Sequence, residues 1–244
     1  MNKQPLTAIF FDWDRTLAYH GSPKNTLGER LTLMFHSAGL AIPQEEIEAA
    51  LACYNLDVER GKVKHIDNPQ TRREIVGLYS YILDYLGHEK SWELLVRLYG
   101  TYAMLPTFLY ENSRKILHEV CERGLIPGII SNHSRSARPV MERMVGDLVP
   151  SKNIILSEEL GVHKPAKTIY LRAAARIRTP PEQCLLVGDN LQVDAIGAVQ
   201  EGGFGRGIWL NRNGCCKDPQ LPADVACINS LNELPVYFSK SGDL

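Results

Sequence analysis

Near its start the chain carries Thr7-Ala8-Ile9-Phe10-Phe11, a run of β-branched, aromatic and apolar residues that breaks off at Asp12. Such a run reads as a strand buried on both faces and ending at a polar edge. It is far too short to be a domain. The next strand-like pattern, residues 125–130, lies more than a hundred residues downstream, and the stretch between the two has helical periodicity. The opening strand therefore needs later strands as partners, and the helical stretch reads as an insertion into one α/β domain.

Four amphipathic stripes make up that insertion. Thr26-Leu27-Gly28-Glu29 has capping-box spacing and opens a stripe of Leu27, Leu31, Met34, Phe35 and Ala38, stopped by Gly39. Pro43 at a helix start precedes Ile47, Ala50, Leu51 and Tyr54; a third stripe runs from Ile75 to Leu86 and stops at Gly87; a fourth runs from Leu94 to Tyr102 and stops near Pro106. No strand is read between Tyr19 and Thr107. After Phe108, helix and strand alternate, with strands expected over 125–130, 154–156, 185–187, 207–210 and 225–228, and helices between them, one over 193–199. The expected fold is α/β, a doubly wound, mostly parallel sheet from residues 1–17 and 108–244, with an all-helical domain over 18–107. Hinges are expected near 18–20 and 106–108.

At 244 residues, 44% hydrophobic and 23% charged, the chain can bury a core, which excludes disordered and low-complexity classes. A net charge of -1 gives no general attraction to nucleic acid or anionic membrane. No stretch is long and apolar enough to span a bilayer and no signal peptide is read, so a cytoplasmic location is expected, with no membrane or nucleic-acid partner. Cys53, Cys121, Cys184, Cys215, Cys216 and Cys227 show no C-x-x-C spacing and are expected to be reduced.

In open α/β sheets, ligands bind beyond the carboxyl ends of the strands. The strands here run into Asp12-Trp13-Asp14-Arg15-Thr16, Ser131-Asn132, and Gly188-Asp189-Asn190 with Asp194 further on; Lys164-Pro165 precedes the helix over 169–175. Carboxylates converging on one edge repel unless a cation neutralises them, and all-oxygen ligation favours Mg²⁺. A lysine and a serine at the same edge suit an anion beside that metal, and the combination describes phosphoryl transfer.

Asp12-Trp13-Asp14-Arg15-Thr16-Leu17 resembles the D-x-D-x-T opening of the haloacid dehalogenase (HAD) superfamily, and Ser131-Asn132, Lys164-Pro165 and Gly188-Asp189 with Asp194 resemble its second, third and fourth motifs in order. The helical insertion stands where that superfamily places its type-one cap, so the resemblance covers essentially the whole chain, in a phosphatase branch that is phosphoglycolate phosphatase-like. It implies a HAD-like Rossmannoid core and a hydrolase acting on a small-molecule phosphate ester. Asp12 would be the nucleophile that forms an aspartyl-phosphate, and Asp14 the general acid and then base. Asp12, the backbone carbonyl of Asp14, and Asp189 would hold Mg²⁺, with Asp194 behind them. Ser131 and Lys164 would bind the phosphoryl oxygens, with Asn132 beside the phosphate. Asp14 separates phosphatase from dehalogenase, which lacks an acid there because a halide leaves without a proton. The rivals are a phosphomutase of the same family and a non-catalytic binding or regulatory protein on the same fold. A monomer or homodimer is expected.

Glycine is usual where Arg15 stands; Arg15 either touches substrate or faces solvent, and solvent is favoured. The basic cluster Arg60, Lys62, Lys64, His65, Arg72 and Arg73 either reads an anionic substrate tail or forms a solvated face balanced by Asp57, Glu59, Asp67 and Glu74, the latter favoured. Tyr54, Tyr79 and Tyr102 read as core. His133 and His163 adjoin the second and third motifs and merit testing for that reason alone.

Overall fold

The computed structural model describes residues 5–24, 26–63, 72–212, 214 and 220–238. Strand β1 (Ala8–Phe11) leads to β2 (Ala18–His20), then to helices α1 (Leu27–Ser37), α2 (Gln44–Glu59), α3 (Arg72–Tyr85) and α4 (Trp92–Gly100), and returns through β3 (Thr107–Leu109). Helices and strands then alternate: α5 (Ser113–Glu122), β4 (Ile126–Ser131), α6 (Arg138–Val145), β5 (Ile154–Leu156), α7 (Ser157–Leu160), α8 (Lys167–Arg176), β6 (Cys184–Gly188), α9 (Gly197–Gln200), β7 (Arg206–Leu210) and β8 (Val225–Ile228). Among the described residues no helix is long and apolar enough to cross a membrane.

One parallel sheet has the order β5-β4-β1-β6-β7-β8. In it β1 lies between β4 and β6, with Phe11 opposite both Ile129 and Val187. The direction of strand addition reverses beside β1, which opens a crevice at the carboxyl ends of these three strands. All four β1 residues are buried, because a central parallel strand is covered on both faces. Ile9 and Phe11 face a cluster with Ile129, Leu185 and Val187 that continues through Trp13, Leu17 and Ala18 to Leu31, Phe35, Ile82 and Leu98 of the helical segment. Ala8 and Phe10 face the opposite cluster, with Ile169, Tyr170, Leu186 and Phe204.

The helical segment packs α1 on α2, α2 on α3 and α3 on α4. At the start of α1, Thr26 Oγ1 accepts from Glu29 N (3.1 Å) while Glu29 Oε2 accepts from Thr26 N (2.9 Å), the reciprocal capping box its spacing predicts. Two strands lie outside the sequence-based expectation: β2 and β3 pair antiparallel at the two ends of the segment, Ala18 opposite Leu109 and His20 opposite Thr107. Three residues are too few to show a period, so only the pairing of distant segments creates them. They occupy the places where hinges were expected. The helix expected over 193–199 begins instead as a π-helical turn, Leu191–Ile196, before α9.

Cys53, Cys121 and Cys184 are free thiols. Cys227 is in a disulfide, which corrects the expectation that every cysteine is reduced. Chain spacing by itself does not pair cysteines. Cys215 and Cys216 lie outside the described residues. So do Lys64 and His65 and the side chains of Arg72, Arg73 and Tyr102. Arg60 and Lys62 are exposed, and Lys62 pairs with Asp57 at 3.1 Å, as a solvated face would.

Phe10 is fully buried, its ring 5.7 Å from that of Phe204, two residues before Asp12. Phe10→Ala is expected to lower the unfolding free energy by about 3–5 kcal/mol in urea denaturation. A loss below about 1 kcal/mol would mean that the sheet does not depend on this contact.

Candidate active site

The edge is built by the three central strands. β1 delivers Asp12, whose backbone N–H donates to the Val187 carbonyl at 2.8 Å; β4 ends at the buried Ser131; β6 delivers Asp189 just past Gly188. Lys164, 1% exposed, reaches the same place from the loop before α8 and donates through Nζ to Asp12 Oδ1 (2.8 Å) and Asp194 Oδ1 (2.6 Å). Burial opposes its charge, but the two carboxylates outweigh burial and raise the Lys164 pKa above the ordinary lysine range. Burial pushes the Asp12 carboxyl up against the pull of Lys164, and Asp194 and Asp189 push it the same way as burial. Burial and Asp194 likewise raise Asp189, against Arg15 and Lys164.

Two devices hold this arrangement. Asn132 clasps the Lys164 backbone from both sides: its Nδ2 donates to the Lys164 carbonyl (2.8 Å) and its Oδ1 accepts from the Lys164 N–H (2.7 Å). The side chain expected beside the phosphate thus engages the lysine loop, while still lining the cavity. Asp194 rides on the π-helical turn, which Asn190 caps by accepting from the N–H groups of Gln192 (3.1 Å) and Val193 (3.0 Å). Asp194 Oδ2 accepts in turn from Asn190 N at 3.0 Å. Glycine is needed at 188 because a Cβ there would lie 2.2 Å from the Asp194 carboxylate.

Asp14 has a different set of partners. Its Oδ1 faces His20 Nε2 at 3.2 Å, and its Oδ2 accepts from Arg30 Nη1 at 2.9 Å and lies 3.6 Å from His133 Nε2. Burial alone would raise its pKa; the His20 hydrogen bond with the Arg30 and His133 charges overrides burial and holds Asp14 well below the usual carboxylate range. Sequence reading singles out His133 by adjacency but misses His20 and Arg30, since β2 and α1 meet Asp14 only in the folded chain. It also misses Arg212, which donates to the carbonyls of Arg15 (3.0 Å) and Thr16 (2.7 Å) and lies over the Tyr110 ring. Arg15 itself is half-exposed, with its Nε 3.3 Å from Asp189 Oδ2. Its φ of 61° explains why glycine suits this position. His163 stands outside the cavity wall, and Tyr79 both packs in the core and lines the cavity.

These groups open onto one cavity of about 340 Å³. Its floor is Asp12, Asp14, Ser131, Lys164, Asp189 and Asp194; its opposite wall, from α1 and α3, is largely apolar, with Leu27, Leu31, Met34, Leu78 and Tyr79 beside Arg30. Asp12, Asp189 and Asp194 each bring one carboxylate oxygen within 4.8 Å of the others. Three clustered carboxylates offering only oxygen donors, two of them buried, suit a hard divalent cation, so the residues fit Mg²⁺. The Asp14 carboxylate is not in this cluster, which leaves its backbone carbonyl as the ligand to consider.

Two outcomes are expected. Mg²⁺ at about a hundred times its Kd would stabilise the protein by about 2.7 kcal/mol, read as a rise in Tm that is lost in Asp189→Asn; an equal rise in both would place the ion elsewhere. Burial, against the pull of Asp14, holds His133 down at about 4, below its ordinary 6.5. The unfolded chain then takes up the proton first. The stability this contributes is complete above pH 6.5 and is lost as pH falls toward 4. His133→Gln should flatten a slope of up to about 1.4 kcal/mol per pH unit across that window in urea unfolding, and an unchanged slope would refute the assignment.

The family model for haloacid dehalogenase-like hydrolases matches residues 6–202. The chain is similar to a phosphoserine phosphatase of Thermus thermophilus, 29% identical over 119 residues, 48% of this chain and 46% of that one. It thus spans less than half the length of that relative. A glyceraldehyde 3-phosphate phosphatase of Methanothermobacter thermautotrophicus is 26% identical over 198 residues, 81% of this chain and 83% of that one. Among solved structures, the HAD-hydrolase YfnB of Bacillus subtilis, bound to magnesium, superposes with a TM-score of 0.72 at 19% identity, over 97% of this chain and 100% of that one, a likeness of fold. With most of its length matched by the family model, the chain belongs to the haloacid dehalogenase-like hydrolases.

Proposed function

We propose that the protein is a Mg²⁺-dependent phosphatase that hydrolyses a small phosphorylated metabolite through an aspartyl-phosphate on Asp12. The observation that carries this reading is the buried Lys164 ammonium, shared by Asp12 and Asp194, at the floor of a cavity that also holds Asp14. An Asp12 oxygen attacks phosphorus, forming one P–O bond as the bond to the leaving oxygen breaks. His20 and Arg30 keep Asp14 ionised before substrate binds, so it has to take up a proton as the negatively charged phosphate enters and raises its proton affinity. It then gives that proton to the leaving oxygen and recovers one from the water that cleaves the aspartyl-phosphate. Lys164 and Ser131 hold the phosphoryl oxygens, the lysine offsetting their charge. Mg²⁺, held by Asp12, Asp189 and the Asp14 carbonyl with Asp194 behind, would neutralise the phosphoryl charge and orient it for in-line attack.

Residues 18–107 act in this reading as a cap whose α1 and α3 close over the edge and exclude water. The largely apolar wall they present suits a compact organic leaving group. The phosphatase names of the relatives support a small phosphate ester. Asp14 supports an ester over a halide, because an alkoxide needs a proton to leave.

Phosphate release from p-nitrophenyl phosphate and a metabolite panel tests the reading. Activity is expected to require Mg²⁺, to disappear in EDTA and to fall by more than about a thousandfold in Asp12→Asn. A wild-type protein that releases no phosphate from any substrate would overturn the reading, and isomerised products in place of free phosphate would make it a phosphomutase.

A further inference from the structure

We propose that His20 is the positioning residue for Asp14, anchoring its carboxylate from behind and tying it to both strands that join the helical segment to the sheet. This rests on Asp14 being the proton donor of the proposed function. His20 is fully buried and is not part of the cavity wall, so it does not touch substrate. It sits on β2 directly opposite Thr107 of β3. Its two ring nitrogens bridge outward: Nε2 lies 3.2 Å from Asp14 Oδ1 and Nδ1 lies 3.0 Å from Thr107 Oγ1. A carboxylate only accepts, so Nε2 is the donor toward Asp14. The Thr107 hydroxyl also reaches the Leu105 carbonyl at 3.2 Å, and Asp14 forms a backbone bridge with Ala18 at the start of β2.

The two oxygens of Asp14 therefore have separate surroundings. Oδ1 is anchored in the protein interior, while Oδ2 faces Arg30 and His133, both of which line the cavity. Oδ2 is the oxygen presented to the leaving group, and His20 sets its direction. Proton transfer needs heavy atoms at hydrogen-bond distance in a fixed orientation, so an Asp14 side chain free to rotate would be a poor acid even when protonated. Because His20 and Thr107 stand on the first and last strands of the helical segment, Asp14 is aimed only while β2 and β3 are paired. Displacement of that ribbon would release the acid.

The test uses kcat/KM of the full-length, Mg²⁺-loaded protein, which reports phosphoryl transfer to Asp12 and not the later hydrolysis. Nitrophenolate leaves with little help from a proton, whereas an alkoxide needs one. In His20→Leu the ratio of kcat/KM for glycerol 1-phosphate to that for p-nitrophenyl phosphate should fall about tenfold. His20→Gln, which can place an amide N–H near the former Nε2, should restore part of the ratio, and Thr107→Val should lower it by a smaller factor. Should His20→Leu fail to fold, Thr107→Val and His20→Gln carry the test. An equal loss on both substrates, or an unchanged ratio in every variant, would overturn the proposal and leave the phosphatase reading standing. If wild type is inactive on glycerol 1-phosphate, the best alkyl ester of the metabolite panel takes its place in the ratio. Absence of wild-type activity on every ester would overturn the two together.

Discussion

A lysine ammonium removed from water between two carboxylates is the constraint on which the rest of this structure depends. Desolvating Lys164, Asp12 and Asp194 together is costly, and the cost is offset only while the geometry stays tight and each charge keeps its partners. That demand reaches far along the chain. It explains why the lysine backbone is clasped by Asn132 from the end of β4, why residue 188 has no side chain, and why the chain after β6 winds into a π-helical turn that turns Asp194 inward. The arrangement still leaves buried negative charge in excess, which is the physical opening for a cation.

Asp12 and Asp14 stand two residues apart and live in opposite electrostatic settings. Burial, with Asp194 and Asp189 close by, raises the proton affinity of Asp12 against the pull of Lys164, while His20, Arg30 and His133 lower that of Asp14 against its burial. The alternation of a strand end, with Trp13 turned into the core between them, sends the two side chains to different neighbours. Arg30 comes from α1, so the helical segment contributes directly to the charge environment of Asp14. The site is therefore shared by parts of the chain remote from one another in sequence.

Much of the fold was legible because its elements carry strong local signals. β1 showed as an apolar run ending at an aspartate, α1 as a capping box followed by a stripe, and the alternation after Phe108 as a parallel sheet. Asp12, Ser131 and Asp189 were legible because each stands at the carboxyl end of a strand, and Lys164 and Asp194 because they fall in the motifs that resemble the third and fourth of the family. β2 and β3 were not, since three-residue strands exist only through each other. His20 had no signal beyond its place at an expected hinge, and Arg30 looked like any polar residue on an amphipathic helix. Cys227 was misjudged because cysteine proximity is a property of folding and not of spacing.

By itself, then, the sequence determined the layer architecture, the inserted helical segment and the residues of the acidic edge, because hydrophobic period, capping residues and strand-end carboxylates are local properties of the chain. Tertiary structure alone decided which partners each of those residues has: that Asn132 serves the Lys164 backbone, that Arg15 turns to Asp189, and that Asp14 is held by a histidine and an arginine from the segment inserted after it. The reason is physical. Charge, hydrogen bonding and burial act over a few ångströms in space, and only the folded chain sets which residues come that close.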